Sequence, residues 1–311
     1  MIARVVRRLA WTLLVVWFVV TATFALQALI PTDPARTLLG PHATPEALVR
    51  VRAAYCLDEG VLSQYGCWLA RVVRGDLGDS FRSGRAVTAI LADRLGPTAQ
   101  LALAAIALQL ALGIPLGLLA AVRRGRWPAH AASVLQLVGL SAPPFVVGTV
   151  LMYVVAYRWG WLPIGGHGAG GVDRLVHLVL PALTLAAFGV AYYAQVLRTE
   201  LGETLAADHV RTARAKGLPE RTVLLRHALR PALGPLVTVV GLDLGVLLGG
   251  AVVTEVVFAW PGLGRELVAA IAGADLPLIA GAVLVSAVAI ALANLLADVV
   301  GAALDPRVRD D

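Results

Sequence analysis

Apolar residues are gathered along this chain into runs of bilayer length, separated by polar, arginine-rich flanks. The first run, LAWTLLVVWFVVTATFALQALI, covers 9–30, and five more lie at roughly 98–122, 131–157, 176–197, 232–256 and 277–300. Each is long enough to cross a hydrocarbon core, which takes about 20 helical residues. Lipid-facing backbone must satisfy its own hydrogen bonds, so the runs predict helices. Glycines and prolines inside them then mark close contacts or bends. Pro115, Pro143 and Pro144 are the bend candidates, and the proline pair in the third run reads either as a packing irregularity or as part of a passage wall.

Composition supports the pattern. Of 311 residues, 59% are hydrophobic and only 15% charged, with a mean hydropathy of +0.79, more apolar material than a soluble core of this size needs. The expected fold class is an all-α membrane protein with six transmembrane helices. The opening MIARVVRR followed by an apolar run imitates a secretory signal, but the run is long and no small-x-small cleavage site follows it, so a retained first span is expected. The formal charge of +6 does not point to nucleic acid, because the positive residues flank apolar runs and no basic face interleaved with aromatics is present.

Those positive flanks orient the spans. Arg4, Arg7 and Arg8 precede the first run, and Arg123, Arg124 and Arg126 follow the second. Arg198, Arg211, Arg214, Lys216, Arg221, Arg226 and Arg230 lie between the fourth and fifth, and Arg307 and Arg309 follow the sixth. Six crossings put all of these on one side, which the positive-inside rule makes the cytoplasm, with both termini there. The chain then divides into residues 1–30 with the first span, an extracytoplasmic loop subdomain 31–97, a five-helix core 98–303 and a tail 304–311. In the loop subdomain eight arginines nearly balance seven acids. It also holds both cysteines, Cys56 and Cys67, whose spacing and oxidising location allow a disulfide, two free buried thiols being the alternative.

Between the fourth and fifth runs lies a charged segment, 199–231, too polar to enter the membrane. TELGETLAADHVRTARAKG, residues 199–217, reads as helix stopped by Gly217. Pro219 suits the first turn of a second short helix, ERTVLLRHAL, which Pro231 is expected to end. Taken by itself, such a hairpin serves equally as a membrane-surface anchor or as a docking element.

The wording around it resembles a known family: the inner-membrane permease subunits of ATP-binding-cassette importers, specifically the B-type subunit of the dipeptide/oligopeptide/nickel group. RTARAKGL, LLRHALRPAL, GGAVVTEVVFAWPGLGRELV (249–268) and LDPRVRD carry the likeness, with RGDLGDS at 74–80 and LPIGG at 162–166. Arg211, Thr212 and Ala213 stand where the family's cytoplasmic Glu-Ala-Ala triplet belongs, Gly217 is its glycine, and His227, Leu229 and Pro231 approximate its ending. The Glu and first Ala are replaced here. The resemblance implies a type I importer permease fold, multi-pass in the bacterial inner membrane, with a coupling helix seated on an ATPase subunit. Ala213, Lys216 and Gly217 would make that contact, and Arg211 and Arg214 would offer salt bridges to it. It further implies a homologous second permease, two ATPase subunits or one fused ATPase carrying ATP and Mg, and an extracytoplasmic solute-binding protein that delivers short peptides. Trp260, Pro261, Gly262 and Gly264 would form a loop at the outer mouth, near the docked receptor.

No catalytic constellation is expected in this chain. It has no glycine-rich Lys-Ser/Thr phosphate loop, so ATP must be hydrolysed elsewhere. The six histidines, at 42, 130, 167, 177, 209 and 227, are scattered and none forms a zinc-helix pair, so no metal site is expected. Three acids fall near membrane depth: Asp243, Asp298 and, at the outer boundary, Glu255. A carboxylate there is costly and marks a pathway or a partnered site. Asp243 is a candidate passage or interface residue, and Asn294 and Gln136 are candidates for polar lining or for glue between helices. A proton-coupled secondary transporter, which would need a carboxylate relay, and a non-transporting membrane scaffold remain alternative readings.

Overall fold

In the computed structural model, which describes residues 2–29, 35, 44–123, 127–249 and 251–304, the chain is helical, with one isolated bridge between Asp79 and Ala86. Arg124, Arg126, Arg307, Arg309, His42 and the tail beyond 304 lie outside the described residues, as do the side chains of Arg4, Arg8 and Asp298. The helices, in order, are α1 Ile2–Leu29, α2 Pro45–Ala54, α3 Val61–Val73, α4 Val87–Val122, α5 Trp127–Ser141 and α6 Pro144–Leu151, the last continued by a wide turn Met152–Arg158. Then come α7 Gly171–Ala206, α8 Asp208–Ala215, α9 Glu220–Leu248, α10 Val252–Val257, α11 Leu263–Ala272 and α12 Leu276–Leu304.

Among the described residues, four helices are long and apolar enough to cross a membrane, α4, α7, α9 and residues Leu276–Ala297 of α12, or five if the bent pair His130–Ser141 and Pro144–Arg158 is one span. The first apolar run is helical as α1, with a shorter apolar stretch, Leu9–Ala25. The third run is not one straight rod, because its halves, His130–Ser141 and Pro144–Arg158, meet at 106°. The proline pair supplies the reason. A residue preceding proline is pushed out of the helical region, and Pro143, which precedes Pro144, is extended at φ −60° and ψ 134°.

Three boundaries differ from the hydropathy pattern. α4 begins at Val87, ahead of the apolar run, because its first turns are amphipathic: Val87, Ile90 and Leu91 are buried, while Asp93 and Arg94 break the run of hydropathy. Pro231 does not end a separate short helix: α9 runs from Glu220 through it to Leu248. Proline removes one backbone donor and crowds the preceding turn, and here the turns just before it, Val223–Leu229, are opened to i→i+5 geometry that accommodates the ring. At the other end, the apolar run to residue 256 is interrupted after Leu248, and VVTEVV forms the separate α10.

Small residues set the helix contacts. α4 and α7 touch where a Cβ on Gly113 would lie 3.0 Å from Tyr193 Cβ, and one on Gly117 would lie 2.8 Å from the Ala194 carbonyl oxygen. α9 meets α12 in the same way: a Cβ on Gly241 would overlap Ala297, and one on Gly245 would sit 2.9 Å from Asn294 Oδ1. In lipid, where no hydrophobic force separates helix from tail, such backbone approach is a principal source of association.

At one end of this bundle, α2 and α3 are joined by a disulfide, Cys56–Cys67. The loop after α3 is tied to the start of α12 by Asp275, which is 1% exposed. Its carboxylate accepts from Ser80 Oγ at 2.5 Å and from the Phe81 backbone N–H at 3.1 Å. The α8 hairpin lies at the opposite end, packed with Ala121 at the far terminus of α4.

Gly241→Val should therefore force α9 away from α12 and cost about 1–3 kcal/mol, the range for overpacking a tight contact. The expected outcome is a lower midpoint of thermal unfolding in detergent, whereas Val at neighbouring exposed Leu242 should leave it unchanged.

Candidate functional site

The α8 hairpin is built by three local choices. Ala207, extended at φ −71° and ψ 152°, breaks the 36-residue α7 and turns the chain back. Val210 and Ala213, one helical turn apart, are buried against Leu197, Leu201, Val223, Ala228 and Ala232. Gly217 then reverses the chain at φ +77°, with nothing within 4 Å of where a Cβ would lie. Backbone conformation, not crowding, therefore calls for glycine at 217.

The candidate coupling residues are split between the two faces. Ala213 is only 5% exposed and packs inside its own chain, so its side chain fixes the helix and is not presented to a partner. Arg211, Lys216 and Gly217 are exposed. Arg211 pairs with Asp208 at 3.4 Å, both groups being open to solvent. Arg214 is engaged within the hairpin: its Nε and Nη2 donate to the Glu220 carboxylate at 3.1 and 2.6 Å, a two-point clasp across the Gly217 turn. His209 Nε2 also lies 3.2 Å from the His227 carbonyl oxygen. The result is a positively charged edge, closed across the Gly217 turn and hung from α7 and α9. Glu220 was not singled out in the sequence, although its position six residues beyond Arg214, across a glycine turn, is the signal that finds it.

At the opposite end, Trp260, Pro261, Gly262 and Gly264 do come together, in the reversal between α10 and α11. Trp260 is fully buried, not interfacial, and its indole N–H donates to the Pro97 carbonyl of α4 at 2.9 Å. Glu255, also fully buried, organises this turn. It accepts from Thr98 Oγ1 at 2.7 Å and from the Arg265 backbone N–H at 3.0 Å, while Thr98 Oγ1 accepts from Leu263 N–H at 2.8 Å. A carboxylate at the first turn of α11 also complements the positive end of that helix. Gly262 and Gly264 leave room for it, since a Cβ on Gly262 would collide with the carboxylate. Thr98 escaped sequence reasoning because its role depends on a partner 157 residues away. The ring of His167 stands edge-on to Trp260 at 4.7 Å. Burial lowers its pKa below the usual histidine range, helped by nearby Arg174 and His177.

Within the bundle, Asp243 is paired. Tyr193 OH donates to its Oδ2 at 2.9 Å, and Gln109 is hydrogen-bonded to it as well. This ties α4, α7 and α9 together at one polar point. Pro143 and Pro144 lie exposed at the bend between α5 and α6. Gln136 is buried with neither side-chain polar atom partnered, and Asn294 Oδ1 is likewise unpartnered.

Residues 113–310 match the family model described as binding-protein-dependent transport system inner membrane component, and residues 1–102 match the N-terminal model of such membrane components. The chain is 38% identical to the glutathione transport system permease protein GsiC of Salmonella typhimurium (strain LT2) over 309 residues, 99% of each chain. It is 37% identical to the protein of the same name from Escherichia coli (strain K12), with the same coverage. Among solved structures, the inward-facing MetNI methionine ABC transporter aligns with a TM-score of 0.59 at 17% identity, covering 70% of this chain and 96% of that one. An amino acid ABC transporter with histidines aligns at 0.52 and 16% identity, covering 71% and 94%. At those identities the two structures speak to the fold alone.

Removing the buried acceptor by Glu255→Ala should leave Thr98 and the first N–H groups of α11 unpaired, at about 1–3 kcal/mol for such groups. Tryptic cleavage after the exposed Arg265 is expected to accelerate about tenfold, the factor that corresponds to about 1.4 kcal/mol of local opening. Cleavage after Arg211, at the other end of the bundle, should be unaffected.

Proposed function

We propose a specific role for this chain, which belongs to the family of binding-protein-dependent transport system inner membrane components: it forms, with a homologous second permease, the passage for short peptides. It is a permease component of an ABC-type peptide importer in the inner membrane and has no ATPase of its own. In this reading the six apolar runs cross the bilayer, the α8 hairpin faces the cytoplasm, and residues 31–97 and the Trp260 turn face outward. Two ATPase subunits, or one fused chain, bind ATP and Mg and grip α8. An external solute-binding protein delivers the cargo.

The observation that carries the coupling role is the hairpin itself. α8 is short, stiff and charged on its exposed face, yet anchored by Val210 and Ala213 to the helices that continue into the bundle. A rigid element converts a push into displacement of the helices behind it, the requirement for alternating access by rigid-body movement. The contact surface then comprises Arg211, Lys216 and the Gly217 turn, while Ala213 and the Arg214–Glu220 clasp hold its angle. For cargo, 37–38% identity over 99% of permeases named for glutathione supports tripeptides of that size and charge. The pairing of Asp243 with Tyr193 and Gln109 favours a structural tie over the relay that a proton-coupled carrier would use.

The reconstituted complex should hydrolyse ATP faster when its receptor is loaded with a mixed dipeptide, tripeptide and glutathione pool than when the receptor is empty. Assembly without any peptide response would remove peptides as the cargo, and failure to assemble with ATPase subunits would remove the importer reading. Gly217→Pro imposes φ of about −65° where +77° is needed. It should cut peptide uptake tenfold or more, about 1.4 kcal/mol per decade, while the chain still reaches the membrane. Reversing the clasp in the double variant Arg214→Glu/Glu220→Arg should restore much of what either single change removes. Undiminished transport by Gly217→Pro would reject the coupling assignment.

A further inference from the structure

A cavity of about 130 Å³ lies where α1, the disulfide-joined pair α2 and α3, and the start of α12 converge. Its floor on α12 is formed by Pro277, Ala280, Gly281 and Leu284, whose spacing puts them on one helical face. They fall within the first 13 Å or so of the helix, at about 1.5 Å per residue. Phe24, near the end of α1, completes that floor. If α12 crosses the bilayer as proposed above, the cavity lies at the outer end of that span, its base apolar and its rim lined by carboxylates. α1, which contributes Phe24 to the cavity, carries an exposed apolar face: Leu13, Leu14, Trp17 and Phe18.

The polar groups on this cavity are few and ordered. Arg71 stacks its guanidinium over the Tyr55 ring at 4.0 Å, and its Nε is buried without a hydrogen-bond partner. Asp76 and Asp79 stand exposed at the rim. The disulfide fixes Tyr55 and Trp68, on either side of the cavity, in place by joining their neighbours Cys56 and Cys67. A guanidinium lining the cavity, two carboxylates at its edge and an apolar floor match a molecule with an anionic oxygen, an ammonium close by and a hydrocarbon tail. A free peptide zwitterion shares the two charges but brings no tail to this depth.

We propose that this cavity is a phospholipid site selective for an ethanolamine headgroup. The phosphate meets Arg71, the ammonium lies between Asp76 and Asp79, and an acyl chain runs along Ala280 and Leu284. Asp76 and Asp79 repel a headgroup that carries no ammonium, which makes the site discriminate against phosphatidylglycerol.

Native mass spectrometry of the complex, released from bilayer discs containing equal amounts of phosphatidylethanolamine and phosphatidylglycerol, tests this without reference to cargo. One phosphatidylethanolamine is expected to remain per copy of this chain, in clear excess over phosphatidylglycerol. Arg71→Gln should lower its retention about tenfold, the scale of one charge-assisted hydrogen bond. The double variant Asp76→Asn/Asp79→Asn should shift retention toward phosphatidylglycerol, and Ala280→Leu, which fills the floor and leaves every charge in place, should expel either lipid. Equal retention of the two lipids by the unmodified chain would overturn the proposal, as would retention unchanged in both Arg71→Gln and Ala280→Leu. Displacement of the lipid by millimolar alanyl-alanine would replace it with a peptide site. None of these outcomes depends on whether the complex imports peptides.

Discussion

The close contact of α4 with α7 is the constraint on which the rest of the structure depends. Gly113 and Gly117 bring the α4 backbone against Tyr193 and Ala194, leaving no space for even a methyl group between two 36-residue helices. Gln109 continues the seam, packed onto Gly189, where a Cβ would collide with its amide. Because an interface packed this tightly has few nearby alternatives, the two helices form one stiff unit running the length of the bundle. Asp243 then fastens α9 to it through Tyr193 and Gln109.

Both candidate sites hang from this unit. At one end α4 supplies the Pro97 carbonyl to Trp260, the Thr98 hydroxyl to Glu255 and Arg94 to Glu266, the last an ion pair at 2.8 Å. At the other, Ala121 of α4 and Leu197 and Leu201 of α7 form the bed on which Val210 and Ala213 rest. Each end has an apolar cluster, but one assembled from several elements: Val210 and Ala213 rest on α4, α7 and α9 at one, and Leu263 and Ala270 on the starts of α4 and α12 at the other. α10 is six residues and α8 eight, too short to be stable helices in isolation. Their conformations are imposed by the seam and by a handful of polar bonds, and this makes buried Glu255, Thr98 and Asp275 worth their cost at the edge of a membrane.

What the sequence revealed and what it concealed follow the same division. Runs of apolar residues declare membrane helices through composition alone, and Gly217 declares a turn through its backbone freedom; both are local properties. The family wording located the hairpin and the outer reversal for the same reason, since it is read off contiguous residues. The 106° break at Pro143 and Pro144 was legible as a bend but not in its magnitude, because that angle is set by packing against other helices. Passage of α9 through Pro231 was hidden, since a proline's effect depends on whether the preceding turns can widen. The burial of Ala213, the engagement of Arg214 by Glu220 and the burial of Trp260 were hidden as well. Each is a statement about what another segment does, and alternating charge or an aromatic in a glycine-rich stretch reads identically whether it faces water or a neighbour.

The continuity of α9 gives the hairpin its mechanical meaning under the proposed coupling role. A separate short helix ended by Pro231 would have placed a flexible joint between the hairpin and the fifth span, and a push on α8 would have been spent in bending it. Instead, Glu220, which closes the clasp with Arg214, is the first residue of the same helix that carries Asp243. Displacement of the hairpin is therefore applied directly to α9, and through α7 to the seam. The weak point of α9 is the wide turn Val223–Leu229, where opened hydrogen bonding lowers resistance to bending. That turn is packed into the hairpin's own apolar bed through Val223 and Ala228, so the segment most able to flex is the one held most firmly by the element that must move it.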